Sequence, residues 1–554
     1  MQSKLRDGRE AFSALQALIV CFFVLLGLWL RLRGLAAEGF ADDEVHKWLA
    51  ATRYVQGNFA GGDELEHPML MKSLISLALL GLGKLGWAPE AIVRFPNALA
   101  GGASIAVLAL LGRKLYGAVA GVAAAGLAAF STTFIGYQRV AKEDTLLGLF
   151  VLVLVLCLAE ARTAADQERP QAQSRWEWLG AASLGLMFAS KYFFFLAPFP
   201  VVFYFWVRAT GTRWRVPFSR WLALIGGSFL VFAVFNWTPF MPSSWEHMLS
   251  YFMQKKTVHG ALFFMGRIYH NLPSWWLDGT PPWFYAVFAL VKFSPLTVVA
   301  WIAGLFIALR RRDPADRLLL SWMGIWFLAL SISGSKWGRF FVSVLPAFLL
   351  LASLSISRAI DWARTASLGT ANPRLLRAGA GALLVLVLGG EASAAATHGP
   401  HYRLYINALG GGDRNVDYFF PHCDYFDAGY REAIQAIAEV AEPGAEIATE
   451  IDWPGRYYAD RFGRPDLAVN MMRPETGCRG DHTCYAVVQT GRWYFQNRDA
   501  VDFLSHREPW QVVVVGGHDA VKIYRLRPGE SPFPPAPASA SPSVAADSVP
   551  WPRR

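Results

Sequence analysis

The sequence predicts a polytopic α-helical membrane protein of about eleven spans with a soluble α/β domain at its C-terminal end. Three observations carry this. The 554 residues are 54% hydrophobic and only 17% charged, where a soluble chain carries about a quarter charged residues. Long apolar runs recur from residue 11 to residue 397, each about the length of a bilayer-crossing helix. Beyond residue 398 the pattern changes to short β-type runs around one amphipathic helical segment.

Basic linkers set the expected topology, because Lys and Arg accumulate on the cytoplasmic side. Lys4, Arg6 and Arg9 hold the N-terminus inside, and run 11–33 is too long for a signal core. Residues 69–87 are apolar but carry Lys72 and Lys84, and read as an interfacial helix. Spans 94–112, 117–136 and 145–161 follow. Stretch 177–207 is too long for one crossing and has basic residues at both ends, so it reads as a hairpin with Ser190 and Lys191 at its tip. Spans 221–239, 283–309, 317–334, 338–357 and 378–397 complete the set and leave the C-terminus outside. The net charge of +10 is absorbed by these linkers, and nucleic acid is not an expected partner.

Three parts are expected: a membrane unit (1–397), an extracytoplasmic α/β domain (398–527) and a disordered tail rich in Pro, Ala and Ser (528–554). In the second, REAIQAIAEVAEPG reads as a helix and EIATEI, CYAVVQT, WQVVVVGG and VKIYRL as strands. Of the five cysteines, Cys478 and Cys484 could pair outside the cytoplasm; sequence leaves the pairing of Cys423, Cys478 and Cys484 open.

This topology has a consequence for charge. Asp43, Glu44, Glu66, His67, Arg94, Arg139, Asp144, Lys191, Lys336 and Arg339 all fall on the outer side. Charge beside a bilayer is costly unless paired, so such a set is a candidate site. Carboxylates with cations suit an anionic phosphate held by Lys and Arg, with a carboxylate left for proton transfer. The competing readings are a solvated loop for 38–72, snorkelling for Arg94 and Arg139, and a helix cap for Lys191. Glu66 with His259 and His270 is a candidate set for a divalent metal; no cofactor is certain.

At these residues the chain resembles the protein O-mannosyltransferases, glycosyltransferase family 39, and more loosely the lipid A aminoarabinose transferases, both of the GT-C fold. DDEVHKW matches the Asp-Glu-x-His of the family's first outer loop. GGDELEHPMLMK keeps its His-Pro and Lys as His67, Pro68 and Lys72, with Met69 and Met71 where the family has proline and glycine. QRVAKEDTLL and MFASKYFFFL resemble its Arg-then-Asp and Ser-x-Lys stretches.

The resemblance implies inverting transfer from a polyprenyl-phosphate sugar, with mannose the usual donor. Asp43 would be the general base, with Glu44 and Asp144 as further catalytic candidates. Arg139, Lys191, Lys336 and Arg339 would hold the donor phosphate. Glu66, His67 and Arg94 would shape the substrate loop. The expected acceptor is Ser or Thr of exported proteins at the outer face of a bacterial inner membrane. The alternatives are a lipid or envelope-glycan acceptor, or transport of the lipid-linked sugar.

Overall fold

A computed structural model describes residues 11–59, 67–246, 261–366, 373–478 and 480–535. Most of the tail expected at 528–554 lies outside them. Among the described residues, seven helices are long and apolar enough to cross a bilayer, or eight if one bent pair counts as a single span. They include α1 (Ala14–Leu32), α4 (Pro89–Tyr116), α7 (Asp144–Asp166) and α10 (Phe218–Phe235). The later members are Pro314–Ile332, Leu345–Ala366 and Gly381–His398. Only 6% of the α10 window and 17% of that of α1 is buried within the protein. Leu15, Leu18, Phe22 and Leu25 of α1 and Leu222, Ile225, Phe229 and Leu230 of α10 are exposed. An apolar surface of this kind requires hydrocarbon around it. The chain is an integral membrane protein.

The remaining expected spans are shorter or broken. Run 117–136 is the bent pair α5 (Ala118–Phe130) and α6 (Thr132–Gln138), which meet at 59°. Run 177–207 breaks after Ser190, between α8 (Pro170–Ser190) and α9 (Phe199–Arg208). Run 283–309 divides into Phe284–Val291 and Pro295–Arg311. The division falls at buried Lys292, whose ammonium donates to Asp424 at 2.6 Å and to the Arg403 and Tyr405 carbonyls. Segment 69–87 forms α3 (Met69–Leu82), which packs on α2 (Asp42–Val55) and α4. Fourteen residues reach about 21 Å, short of a bilayer core.

Small residues let the helices approach closely. Ala123, Ala124, Ala125, Ala128 and Ala129 of α5 are fully buried against α4 and Leu345–Ala366. A Cβ on Gly304 would sit 1.9 Å from the Leu351 carbonyl oxygen, so only glycine fits that crossing. The two ends of the bundle differ. Lys114 pairs with Glu160 at 2.8 Å and Tyr116 bonds Asp316 at 3.2 Å, gathering the basic linkers at one end. The start of α2, Lys191 and the 336–339 segment lie at the other, since each is reached at the far end of its helix.

The C-terminal region holds a five-stranded sheet of order β4-β3-β5-β7-β6. The strands are β3 (Glu446–Thr449), β4 (Ala468–Met471), β5 (Cys484–Gln489), β6 (Gln511–Val515) and β7 (His518–Leu526). β3 runs parallel to β4 and β5; β7 is antiparallel to β5 and β6. Helix Tyr430–Val440 buries Ala433, Ile434 and Ile437. The four strands read from sequence are present; β4 was not among them, because DLAVNMM lacks the alternation that marks a strand. Cys478 and Cys484 form a disulfide, and Cys423 is a buried free thiol. A hairpin of β1 (Ala261–Phe264) and β2 (Arg267–His270) leans on this region, Phe263 stacking on Trp493 at 5.3 Å.

Glu450, buried after β3, is pushed up to about 8 by desolvation. The folded chain therefore keeps a proton that the unfolded chain releases near 4.5. Stability is lost as pH rises between those values. Glu450→Gln is expected to stabilise the protein at pH 8.5 by up to roughly 4 kcal/mol and to have little effect at pH 4.5; thermal unfolding at the two pH values checks it.

Candidate active site at the start of the second helix

The site is built on the loop from Arg139 to Glu143. The bend between α5 and α6 at Ser131 turns the chain away from the bundle axis and delivers this loop beside α2 and α4. Asn97 of α4 donates its amide to the Val140 and Lys142 carbonyls. Glu44 of α2 accepts the Ala141 N–H at 2.7 Å through Oε1. Arg94 of α4 donates to both Glu44 oxygens, Nε to Oε1 at 2.9 Å and Nη2 to Oε2 at 2.5 Å. Its remaining N–H groups take the carbonyls of Leu35, Glu38 and Gly39. Four segments, the loop before α2, α2 itself, α4 and the 139–143 loop, are thus tied by one fully satisfied, buried pair.

Charges from four segments meet on this base. Asp43 forms an ion pair with Lys142; the lysine is 3% exposed and the aspartate 33%, so the carboxylate can be reached from solvent. Lys191, at the end of α8, donates to Asp144 Oδ1 at 2.6 Å. Arg339 lies 3.7 Å from Asp144 Oδ2. Lys47 pairs with Glu143 at 3.0 Å. The Lys191 ammonium sits over Phe193 at 4.7 Å and Phe340 at 4.3 Å, and Arg339 over Trp337 at 4.7 Å.

The titration of these groups follows from crowding. Burial, then the Arg339 charge, pushes the Lys142 ammonium down to about 7; Glu143 and Asp144 act in the opposite sense. Burial lowers Lys191 too, against the pull of Asp144. Burial alone would raise Glu143, but Lys47, His67, Lys142 and Lys191 outweigh it and hold its carboxylate well below the usual range. Lys47, Lys142, Lys191 and Arg339 against Asp43, Glu143 and Asp144 leave one positive charge over. The arrangement can accept an anion and keeps one reachable carboxylate for a proton.

The structure brings together Asp43, Asp144, Lys191 and Arg339 among the sequence candidates, with His67 close enough to act on Glu143. Others are placed elsewhere. Glu44 and Arg94 are committed to each other and are structural. Arg139, expected at the donor phosphate, instead donates to the carbonyls of Leu30, Arg31, Arg33 and Gly34, capping α1 where its last carbonyls lack helical partners. Lys336, expected there too, donates to the carbonyls of Thr280, Ser331 and Ser333 and caps Pro314–Ile332. Of the metal candidates, Glu66 and His259 lie outside the described residues. His270 stacks on Phe495 at 4.2 Å and stands 3.9 Å from Asp278. Among the described residues no group of three His, Cys, Asp or Glu side chains could hold a metal.

Sequence reasoning passed over Lys142, Glu143 and Lys47. The signal for the first two was the run Lys-Glu-Asp at the head of an apolar helix, where three adjacent charges have no reason to sit unless paired. Lys47 carries no such signal.

Residues 66–237 match the family described as dolichyl-phosphate-mannose-protein mannosyltransferase. The fold is similar to that of ArnT from Cupriavidus metallidurans in the apo state, with a TM-score of 0.55 and 15% identity, covering 92% of this chain and 98% of that one. The same protein bound to undecaprenyl phosphate gives 0.51, 14% and the same coverage. The oligosaccharyltransferase of Archaeoglobus fulgidus in the apo form gives 0.50 and 13%, covering 86% and 69%. No curated protein matches by sequence. The likeness to these solved structures is one of fold, and it spans nearly the whole chain. The family match falls on the segment that bears Lys142, Asp144 and Lys191.

The placement of the cations has a direct consequence for affinity. Removing the charge in Lys191→Met or Arg339→Met should weaken the binding of an anionic phosphate ligand at least tenfold, whereas Lys336→Met should leave the folded protein's affinity within twofold; titration with a phosphate-bearing lipid checks all three.

Proposed function

We propose that this chain is an inverting glycosyltransferase that moves a sugar, mannose, from a polyprenyl-phosphate donor to Ser or Thr hydroxyls of exported proteins at the outer face of a bacterial inner membrane. The observation that carries the reading is the juxtaposition of reachable Asp43 with Lys142, itself within the electrostatic reach of Lys191 and Arg339. The donor phosphate takes the surplus positive charge among Lys142, Lys191 and Arg339. Asp43 accepts the proton of the acceptor hydroxyl as its oxygen attacks the anomeric carbon from the face opposite the phosphate. The bond from that carbon to the phosphate oxygen breaks, and its electron pair stays on the lipid phosphate. That leaving group is a stable anion, so cations suffice and no strong acid is required. Lys142 links the two functions, since its partner in the free enzyme is the base itself.

Several features support the sidedness. The basic linkers gather at the end of the bundle away from Asp43, as the positive-inside rule requires of a cytoplasmic end. The Cys478–Cys484 disulfide belongs with a C-terminal domain in an oxidising compartment. The mannosyltransferase match over residues 66–237 favours mannose and a protein acceptor. ArnT, which is similar over the length of the chain, was solved with undecaprenyl phosphate bound, and that favours a polyprenyl-phosphate donor.

Membranes containing the protein, incubated with radiolabelled polyprenyl-phosphate mannose and a mixture of exported proteins, should place the label on Ser or Thr of protein. Label confined to lipid would assign a lipid or glycan acceptor instead, and no transfer at all would remove the enzyme reading. Asp43→Asn should lower kcat by on the order of a thousandfold while donor still binds. The free-enzyme kcat/KM for donor should fall as pH rises through about 7, because Lys142 then gives up the proton that holds phosphate; Lys142→Met should be slower and lack that limb.

A further inference from the structure

The C-terminal region does more than stand beside the membrane helices. Its residues 421–427 (PHCDYFD) enter the core between them. Asp424 meets Lys292 at 2.6 Å. The Cys423 carbonyl accepts from Tyr137 OH, and its sulfur accepts the Gly338 N–H at 3.2 Å. Arg403 donates to the Asp424 and Tyr425 carbonyls while pairing with Glu38 at 2.5 Å. The segment ends on two consecutive left-handed residues, Phe426 at φ 47° and Asp427 at φ 66°. Neither is glycine, and such backbone is unfavourable unless its surroundings impose it.

What those two residues hold explains the cost. Asp427 is clamped by Arg492, Nε to Oδ1 at 2.7 Å and Nη2 to Oδ2 at 2.5 Å, with Gln489 on Oδ1 at 3.2 Å. Its Oδ2 accepts the backbone N–H of Asp42 at 3.1 Å. Asp42 is the first residue of α2 and the neighbour of Asp43. The Phe426 ring lies 5.9 Å from the Arg339 guanidinium carbon and 5.8 Å from that of Arg403. Two adjacent residues of the C-terminal region therefore touch both halves of the charge cluster, the helix start that carries the carboxylate and the arginine at the anion side.

We infer that Phe426 and Asp427 are positioning residues for sugar transfer: Asp427, clamped by Arg492, fixes the start of α2 and with it Asp43, and Phe426 fixes the guanidinium of Arg339. This rests on the roles of Asp43 and Arg339 given under the proposed function. A helix N-terminus held by a charged acceptor loses the charge assistance of that hydrogen bond and the favourable dipole interaction when the acceptor is neutralised. The left-handed backbone tolerates asparagine, so Asp427→Asn removes charge and leaves the turn. Removing the Phe426 ring frees a guanidinium that otherwise has a flat surface on this side.

The test uses the full-length protein in lipid nanodiscs and three readouts: steady-state transfer, direct binding of polyprenyl phosphate, and amide hydrogen exchange over residues 41–50. Asp427→Asn should lower kcat at least tenfold, leave the Kd for polyprenyl phosphate within twofold, and speed exchange at the start of α2. Phe426→Ala should raise that Kd at least fivefold, and Phe426→Tyr should restore it. Arg492→Lys replaces Asp427→Asn should the latter fail to accumulate, with the same expected split. Unchanged exchange and kcat in Asp427→Asn, together with an unchanged Kd in Phe426→Ala, would overturn the inference. So would losses of kcat and affinity that merely track the unfolded fraction. Full activity in Asp43→Asn would instead sink the reading of the base, and the exchange data would still decide whether Asp427 holds α2.

Discussion

The buried pair of Glu44 and Arg94 is the interaction on which the site depends. Both side chains are withdrawn from water, and an isolated charge there would cost several kcal/mol. The cost is met because every polar atom has a defined partner. Arg94 takes both carboxylate oxygens and three carbonyls, and Glu44 also takes the N–H of Ala141. Those partners come from the loop before α2, from α2, from α4 and from the loop before α7. A pair this demanding has one low-energy arrangement, so it fixes the relative position of Asp43 and Lys142, which lie one residue from Glu44 and Ala141 respectively. The chemistry is assigned to neighbours of the pair, and the pair itself supplies rigidity.

The same logic separates cations that serve the fold from cations left for a ligand. Arg139 and Lys336 spend their donors on the carbonyls at helix ends, where the backbone runs out of partners. Lys142, Lys191 and Arg339 rest on carboxylates and aromatic faces instead. An incoming phosphate can compete for an ion pair or a ring contact at modest expense. It cannot compete for a helix cap without releasing the helix. Arg139, Lys191, Lys336 and Arg339 all read as outer-face charges in the sequence, yet only the partners chosen in the fold tell the two groups apart.

The membrane architecture was legible because hydropathy and basic linkers are written locally. The hairpin tip at Ser190–Lys191 and the short α3 could both be read from run length and flanking charge. Four strands and one helix of the C-terminal sheet were likewise visible from periodicity. The bend at Ser131 and the division at Lys292 were not, although each has a local mark: Ser131 caps α6 through the Phe134 N–H, and Ser294 with Pro295 opens the helix Pro295–Arg311; what no local pattern shows is Asp424 at Lys292. At the site, Asp43, Asp144, Lys191 and Arg339 were found because their charge interrupts an apolar pattern. Arg139 and Lys336 interrupt it just as strongly, and capping leaves no local signature. The part played by Phe426 and Asp427 was invisible for a related reason: a Phe-Asp dipeptide between a short helix and a long one says nothing of left-handed backbone, nor that the start of α2 lies beside it.

The seat of a lipid phosphate decides whether Lys142, Lys191 and Arg339 form the anion site. The most direct measurement is an experimental structure of the protein with polyprenyl phosphate bound. The phosphate is expected within hydrogen-bonding distance of Lys142, Lys191 and Arg339, with Lys142 drawn off Asp43 and that carboxylate open towards the space above the phosphate. A phosphate found at Lys336 or Arg139, or anywhere that leaves the Asp43–Lys142 pair closed, would contradict it.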